Sequence, residues 1–115
     1  MNASDKLCLV YITAVSLEEA KNIGRKLVEQ NLVACVNLLE NMTSIYKWED
    51  KFEEDQEVVM IGKTRKTLMP KLIEIVKSHH GYDCPCIIEL PIQGGNPDFL
   101  KWILGETDVK YNPLI

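Results

Sequence analysis

Apolar residues run almost without a break from Leu7 to Ala14, "LCLVYITA", and several are β-branched. That pattern predicts a strand buried on both faces. The period then changes. Leu17, Ala20, Ile23, Leu27 and Val28 recur at helical spacing, which predicts a helix over about residues 17–30 with one apolar stripe. Ser16 and Glu19 have the spacing of a capping box, in which each side chain satisfies a free amide of the other residue. Asn31 can stop the helix in the left-handed conformation. "LVACVNLL" opens a second strand that continues through "MTSIYKW". Its alternation slips around Leu38, Leu39 and Glu40, which predicts a bulge or bend. "EDK" turns the chain, and "FEEDQEVVMIGKT" returns as a third strand. The two strands make a long antiparallel hairpin with an acidic tip.

A second helix begins near Thr67, with Pro70 tolerated in a first turn whose amides are unpaired anyway. Leu68, Leu72, Ile75, Val76 and His79 share a face, and Gly81 is the expected stop. "CIIEL" is a fourth strand ended by Pro91. Asn96 and Pro97 then cap and start a short third helix. The order is β-α-β-β-α-β plus a small helix. It predicts an α+β, ferredoxin-like fold: an antiparallel sheet with two helices on one face, a long central hairpin and a short C-terminal helix. No repeat or linker interrupts residues 1–115, which read as a single domain. The overhanging hairpin leaves strand edges that natural proteins pair or cover, so an oligomer is expected.

Composition narrows the function classes. The chain is 46% hydrophobic and 26% charged, with a net charge of −4. No dense Lys/Arg block predicts a nucleic-acid footprint or a patch for acidic membranes. The first apolar run is too short to span a bilayer and has no basic leader or small-residue cleavage site, so the expected compartment is the cytoplasm. Four cysteines in such a chain default to reduced thiols, although an even count allows a bridge. No nucleophile is paired with a base and an orienting group. "QGGNP" lacks both the P-loop lysine and the dinucleotide spacing. The chain is therefore expected not to be an enzyme.

Five patches, in order and with matching gaps, carry a resemblance: "ACVN" at Ala34–Asn37, "SIYKWEDK" at Ser44–Lys51, Glu57 with "GKT" at Gly62–Thr64, "HHGYDCP" at His79–Pro85 and "FLKW" at Phe99–Trp102. Together they resemble the CutA divalent-cation tolerance family. The resemblance implies a ferredoxin-like homotrimer with an intertwined hairpin and a role in tolerance of copper and other divalent metals. The chain departs from the family pattern at three positions. Cys86 stands where bacterial members often carry Glu, Ile12 where some carry a Cys ligand, and Asp50 where the hairpin turn usually has Gly.

The candidate chemistry centres on "SHHGYDCPCIIELP". Adjacent helical residues point about 100° apart, so His79 and His80 cannot both face one ion while the helix persists. His79, on the apolar stripe, reads as the partly buried one, and His80 as freer to reach a cleft. Pro85 enforces an extended chain, which turns Cys84 and Cys86 to one side. Two thiolates with an imidazole suit Cu(I) or Zn(II), so His80, Cys86 and Cys84 are the candidate ligands of a weak soft-metal site. The competing reading is a capped helix followed by a strand that tolerates cysteine. Cys8 and Cys35 read as core. The acidic hairpin residues read as a solvated edge, except Glu57, which is expected to pair with a lysine. Lys63, Tyr82, Trp48, Tyr46, Trp102 and Glu57 are expected to line an intersubunit cleft for a metal ion or small anionic ligand. No cofactor is required for folding. The alternatives are a small-molecule sensor of the PII type, by fold analogy, or a trimeric scaffold for protein partners, with the tail "DVKYNPLI" as a contact.

Overall fold

A computed structural model describes residues 6–108. The tail, beyond Asp108, lies outside the described residues. The elements are β1 (Leu7–Ala14), α1 (Leu17–Glu29), β2 (Cys35–Trp48), β3 (Lys51–Arg65), a 3-10 turn (Lys66–Leu68), α2 (Met69–His79), β4 (Ile87–Pro91) and α3 (Pro97–Glu106). All strand pairings are antiparallel, in the order β2-β3-β1-β4. The fold is α+β and ferredoxin-like, as expected.

Helices α1 and α2 cover one face of the sheet. Ala20, Ile23 and Leu27 of α1 and Leu72 and Val76 of α2 bury completely against Val10, Ile12 and Ala14 of β1 and Met60 of β3. Alternation explains the rest of β1: Leu9 and Tyr11 point to the uncovered face and are only half-buried. That face stays apolar, with Leu39, Ile88 and Leu90 exposed. A smaller cluster of Leu7, Ala34 and Ile103 seats α3 at the far end of the sheet. Arg65 ties that helix down: its Nε donates to Thr107 Oγ1 at 3.0 Å and its guanidinium also reaches the Leu104 carbonyl. A cation suits the carbonyl end of a helix.

Several sequence expectations need correction. Ser16 Oγ does accept the Glu19 amide at 3.1 Å, but the Glu19 carboxylate takes the amide of Val15, not that of Ser16. The second strand starts at Cys35, because Leu32 and Val33 still serve the end of α1: both amides donate to the Leu27 carbonyl. Asn31 lies between them and the helix at φ 57°, the left-handed stop its side chain tolerates. The expected irregularity in β2 falls between Leu39 and Met42, with Asn41 at φ 61°. Glu49 and Asp50, at φ 49° and 66°, close the hairpin as a two-residue turn. Finally, α2 ends at His79 with His80 already extended, at φ −96° and ψ 144°. No glycine has positive φ among the described residues, so Gly81 is not a left-handed stop. That helix end is held by distant partners.

Candidate functional site

Those partners build the site. The His80 side chain has no exposed surface, and its Nε2 lies 2.7 Å from the Thr13 carbonyl. The Tyr82 amide donates to its Nδ1 at 3.0 Å. Only a ring protonated on Nε2 satisfies both bonds, so Nε2–H donates to Thr13 and the Nδ1 lone pair is taken. Glu19 completes the anchor. One carboxylate oxygen accepts from Val15 N at 3.1 Å and lies 3.6 Å from His80 Nε2, while the other accepts from Gly81 N at 3.0 Å. The first turn of α1 and the end of β1 thus fix where the chain leaves α2.

The anchored segment then borders a cavity of about 480 Å³ lined by Thr13, Tyr46, Trp48, Glu57, Gly81, Tyr82, Asp83, Cys84 and Cys86. Glu57 is buried to 8% exposure, and the only hydrogen bond to its carboxylate among the described residues is a long one, 3.4 Å, from the Tyr82 hydroxyl. No ion pair reaches it among the described residues. Tyr46 donates its hydroxyl to Asp55, a bond that pushes its pKa up to about 12. Burial pushes the Tyr82 phenol up, and the nearby Glu57 charge adds to it. Burial also raises the Cys86 thiol, opposed by a hydrogen bond with the Thr13 side chain and reinforced by Glu57. A thiol raised in this way holds its proton more firmly at neutral pH.

Six sequence-predicted residues therefore meet in one cavity: Tyr46, Trp48, Glu57, Tyr82, Cys84 and Cys86. Both cysteines border the cavity, although Cys84 lies in a bend that covers residues 81–84 and not in an extended run. Three predicted residues do not join them. The expected roles of the two histidines are reversed. His80 is the buried one and spends both ring nitrogens on hydrogen bonds, so it offers a metal no lone pair. His79 stays part-exposed, with Nδ1 3.0 Å from the Ile75 carbonyl. Lys63 bonds to Asn37, not to Glu57. Six residues of strand separate Lys63 from Glu57, about 20 Å. Trp102 sits on α3 with its ring 5.4 Å from Phe99, at the end of the sheet where Leu7 pairs with Arg65. Among the described residues no lining residue is basic, so this wall offers nothing to attract an anionic ligand.

Reading the sequence missed three contributors. Asp83 lines the cavity, Thr13 supplies both a carbonyl and a hydroxyl, and Glu19 secures the loop. Thr13 alone had a local signal, as a polar residue inside an apolar strand.

Among the described residues, no group of three or more His, Cys, Asp or Glu side chains is placed to hold an ion. One chain supplies two thiols and two carboxylates around a shared space, short of a closed coordination set.

The family profile described as "CutA1 divalent ion tolerance protein" matches residues 8–106. The chain belongs to the CutA1 divalent ion tolerance family. Among individual relatives, Protein CutA of Mus musculus is 46% identical over 98 residues. That match covers 85% of this chain but 55% of the mouse protein, so the chain spans about half of that relative's length. The solved divalent cation tolerance protein of Thermus thermophilus superposes with a TM-score of 0.86 at 44% identity, covering 88% of this chain and 98% of that one. The periplasmic divalent cation tolerance protein CutA of Archaeoglobus fulgidus superposes with a TM-score of 0.86 at 41% identity, covering 89% and 99%. Protein CutA, chloroplastic, of Arabidopsis thaliana is 39% identical over 86% of this chain, so relatives carry names from different compartments. In this CutA1-family chain, no helix among the described residues is long and apolar enough to cross a membrane.

Proposed function

We propose that this chain is a binding protein of divalent-cation tolerance, not an enzyme, and that it works as a homotrimer holding a soft ion, copper or zinc, weakly at the cavity. One observation carries the reading: Cys84, Cys86 and Glu57 border the same cavity. Thiolates select Cu(I) and Zn(II), and a carboxylate tolerates either. A donor from a neighbouring subunit or a small exogenous ligand completes the set. The proposed compartment is the reducing cytoplasm, because oxidation would remove both thiol ligands. The trimer reading draws on the uncovered sheet face, where Leu39 is 54% and Ile88 53% exposed, and on the hairpin, where Phe52 is 81% exposed. A PII-like sensor of phosphorylated ligands draws no support from a lining without a basic residue among the described residues.

Native mass spectrometry tests the proposal, with Cu(I), Cu(II) and Zn(II) added to the wild type and to a Cys84→Ser/Cys86→Ser variant. The expected result is a trimer whose Cu(I) uptake falls in the variant and rises with pH, since protons compete for the thiols. Equal uptake by both proteins removes the thiol site. A monomeric mass at micromolar concentration removes the trimer.

A further inference from the structure

The same cavity has a second wall that metal chemistry leaves unexplained. Tyr46, Trp48 and Tyr82 bring three aromatic rings to it, and Glu57 lies among them at 8% exposure with no cationic partner among the described residues. Burying a carboxylate without a counter-charge is unfavourable, and here one weak bond from Tyr82 is the visible compensation. A cation entering the cavity would supply the missing charge. Aromatic faces attract cations through their quadrupole, and they favour diffuse, weakly hydrated ones such as alkylammonium over a small hydrated metal ion. A space of about 480 Å³ suits a compact organic ligand. Asp83 adds a second carboxylate to the lining, and among the described residues no lysine or arginine there opposes the positive guest.

We infer that the cavity binds a small organic ammonium ion, with Glu57 as counter-ion and Trp48, Tyr46 and Tyr82 as the aromatic enclosure. This goes beyond the metal reading and does not depend on it, because the thiols take no part.

The test is calorimetric titration of the full chain with tetramethylammonium chloride, using tert-butanol as a neutral probe of similar size. The wild type should bind the cation saturably, one per chain, and not the alcohol. Glu57→Gln should weaken binding by about tenfold or more, the scale on which a desolvated charge partner acts. Trp48→Leu should weaken it by about fivefold, through loss of the ring face. Trp48 is more than half exposed, so that variant keeps the assay informative if Glu57→Gln fails to fold. Cys84→Ser/Cys86→Ser should bind tetramethylammonium as the wild type does while losing Cu(I). Absence of saturable binding, equal binding of tert-butanol, or variants at Glu57 and Trp48 that bind like the wild type would each overturn the inference. Loss of tetramethylammonium binding in the cysteine variant alone would also overturn it and leave the metal reading standing.

Discussion

The two halves of β3 obey the same backbone rules and meet opposite fates. Between Val58 and Thr64, alternate side chains enter the core: Val58 is 6% exposed, and Met60 and Thr64 are fully buried. Between Lys51 and Gln56 the ladder to β2 is just as continuous, yet Phe52 is 81% exposed, and Ile45 and Trp48 of β2 are 71% and 56% exposed. Both halves are extended, so strand propensity does not distinguish them. Cover does. The inner half lies under two helices. The outer half relies on cross-strand pairs, such as Gln56 Nε2 to Thr43 Oγ1 at 2.7 Å and Lys47 over the Phe52 ring at 5.2 Å. Such pairs contribute about 0.2–1 kcal/mol each. The comparison implies that the inner half determines whether a chain folds, while the outer half determines what it meets.

The comparison can be broken most forcefully from the core. Leu72→Ala removes a fully buried side chain of α2 and should cost about 2–5 kcal/mol in urea unfolding at fixed protein concentration. A cost under 1 kcal/mol would mean the helices are not what stabilises the inner half. Gly62→Ala comes next. A Cβ there would lie 2.9 Å from Val10 Cγ1 and 3.1 Å from Val33 Cγ1, in the tightest part of the inner ladder. Overpacking of that kind should cost about 1–3 kcal/mol, read as a lower urea midpoint with an unchanged slope. His80→Ala should cost a similar amount, about 1–3 kcal/mol, by leaving the Thr13 carbonyl and Tyr82 amide without their partner. It should also loosen residues 81–86, which amide hydrogen exchange would register as lost protection.

Thiol chemistry gives a finer contrast. Burial and the Glu89 charge push the core thiol of Cys8 up to about 11, so it should be the last to alkylate in the native protein. Exposed Cys84 should react well before it, with Cys86 behind Cys84 because burial raises its pKa. The sign for stability follows. Cys8 is neutral in both folded and unfolded chains below about pH 9, the unfolded value, and its contribution is lost as pH rises from there through about 11. Cys8→Ala should flatten that alkaline slope. The smallest effect belongs to the outer half: Phe52→Ala should change subunit stability by no more than about 0.5 kcal/mol. It should instead shift the oligomer equilibrium in light scattering. A large loss of subunit stability would show that the hairpin tip is part of the core after all.

The sequence conveyed these regions unequally. β1 was legible to the residue because its apolar run starts and stops sharply at Leu7 and Ala14. The caps of α1 and α3 were legible because Ser16 and Asn96 act on amides only two or three residues away. The site was half legible. Tyr46, Trp48, Glu57 and the two cysteines could be named, but their common destination rests on contacts across the sheet. His80 misled because its orientation is set by Thr13, 67 residues earlier, and no helical wheel carries that information. Lys63 misled in the same way, since its partner Asn37 is 26 residues away. Local spacing reports where a side chain could point, whereas these long-range bonds determine where it does.

The irregularity in β2 decides what the cavity is made of. Below it, the odd residues Cys35, Asn37 and Leu39 pair with the odd residues Lys63, Ile61 and Val59 of β3. Above it, Met42 pairs with Glu57, Ser44 with Asp55, Tyr46 with Glu53 and Trp48 with Lys51, so even now faces odd. The extra residue inverts the parity of the strand. With the bulge, Tyr46 and Trp48 share the sheet face of Glu57; were the same chain paired in unbroken register, Ile45 and Lys47 would take their places, and a lysine would stand where the rings are. An unbroken register of the same chain would thus exchange an aromatic, acidic chamber for an aliphatic, basic one, whereas deleting Asn41 would straighten the strand and keep Met42 opposite Glu57.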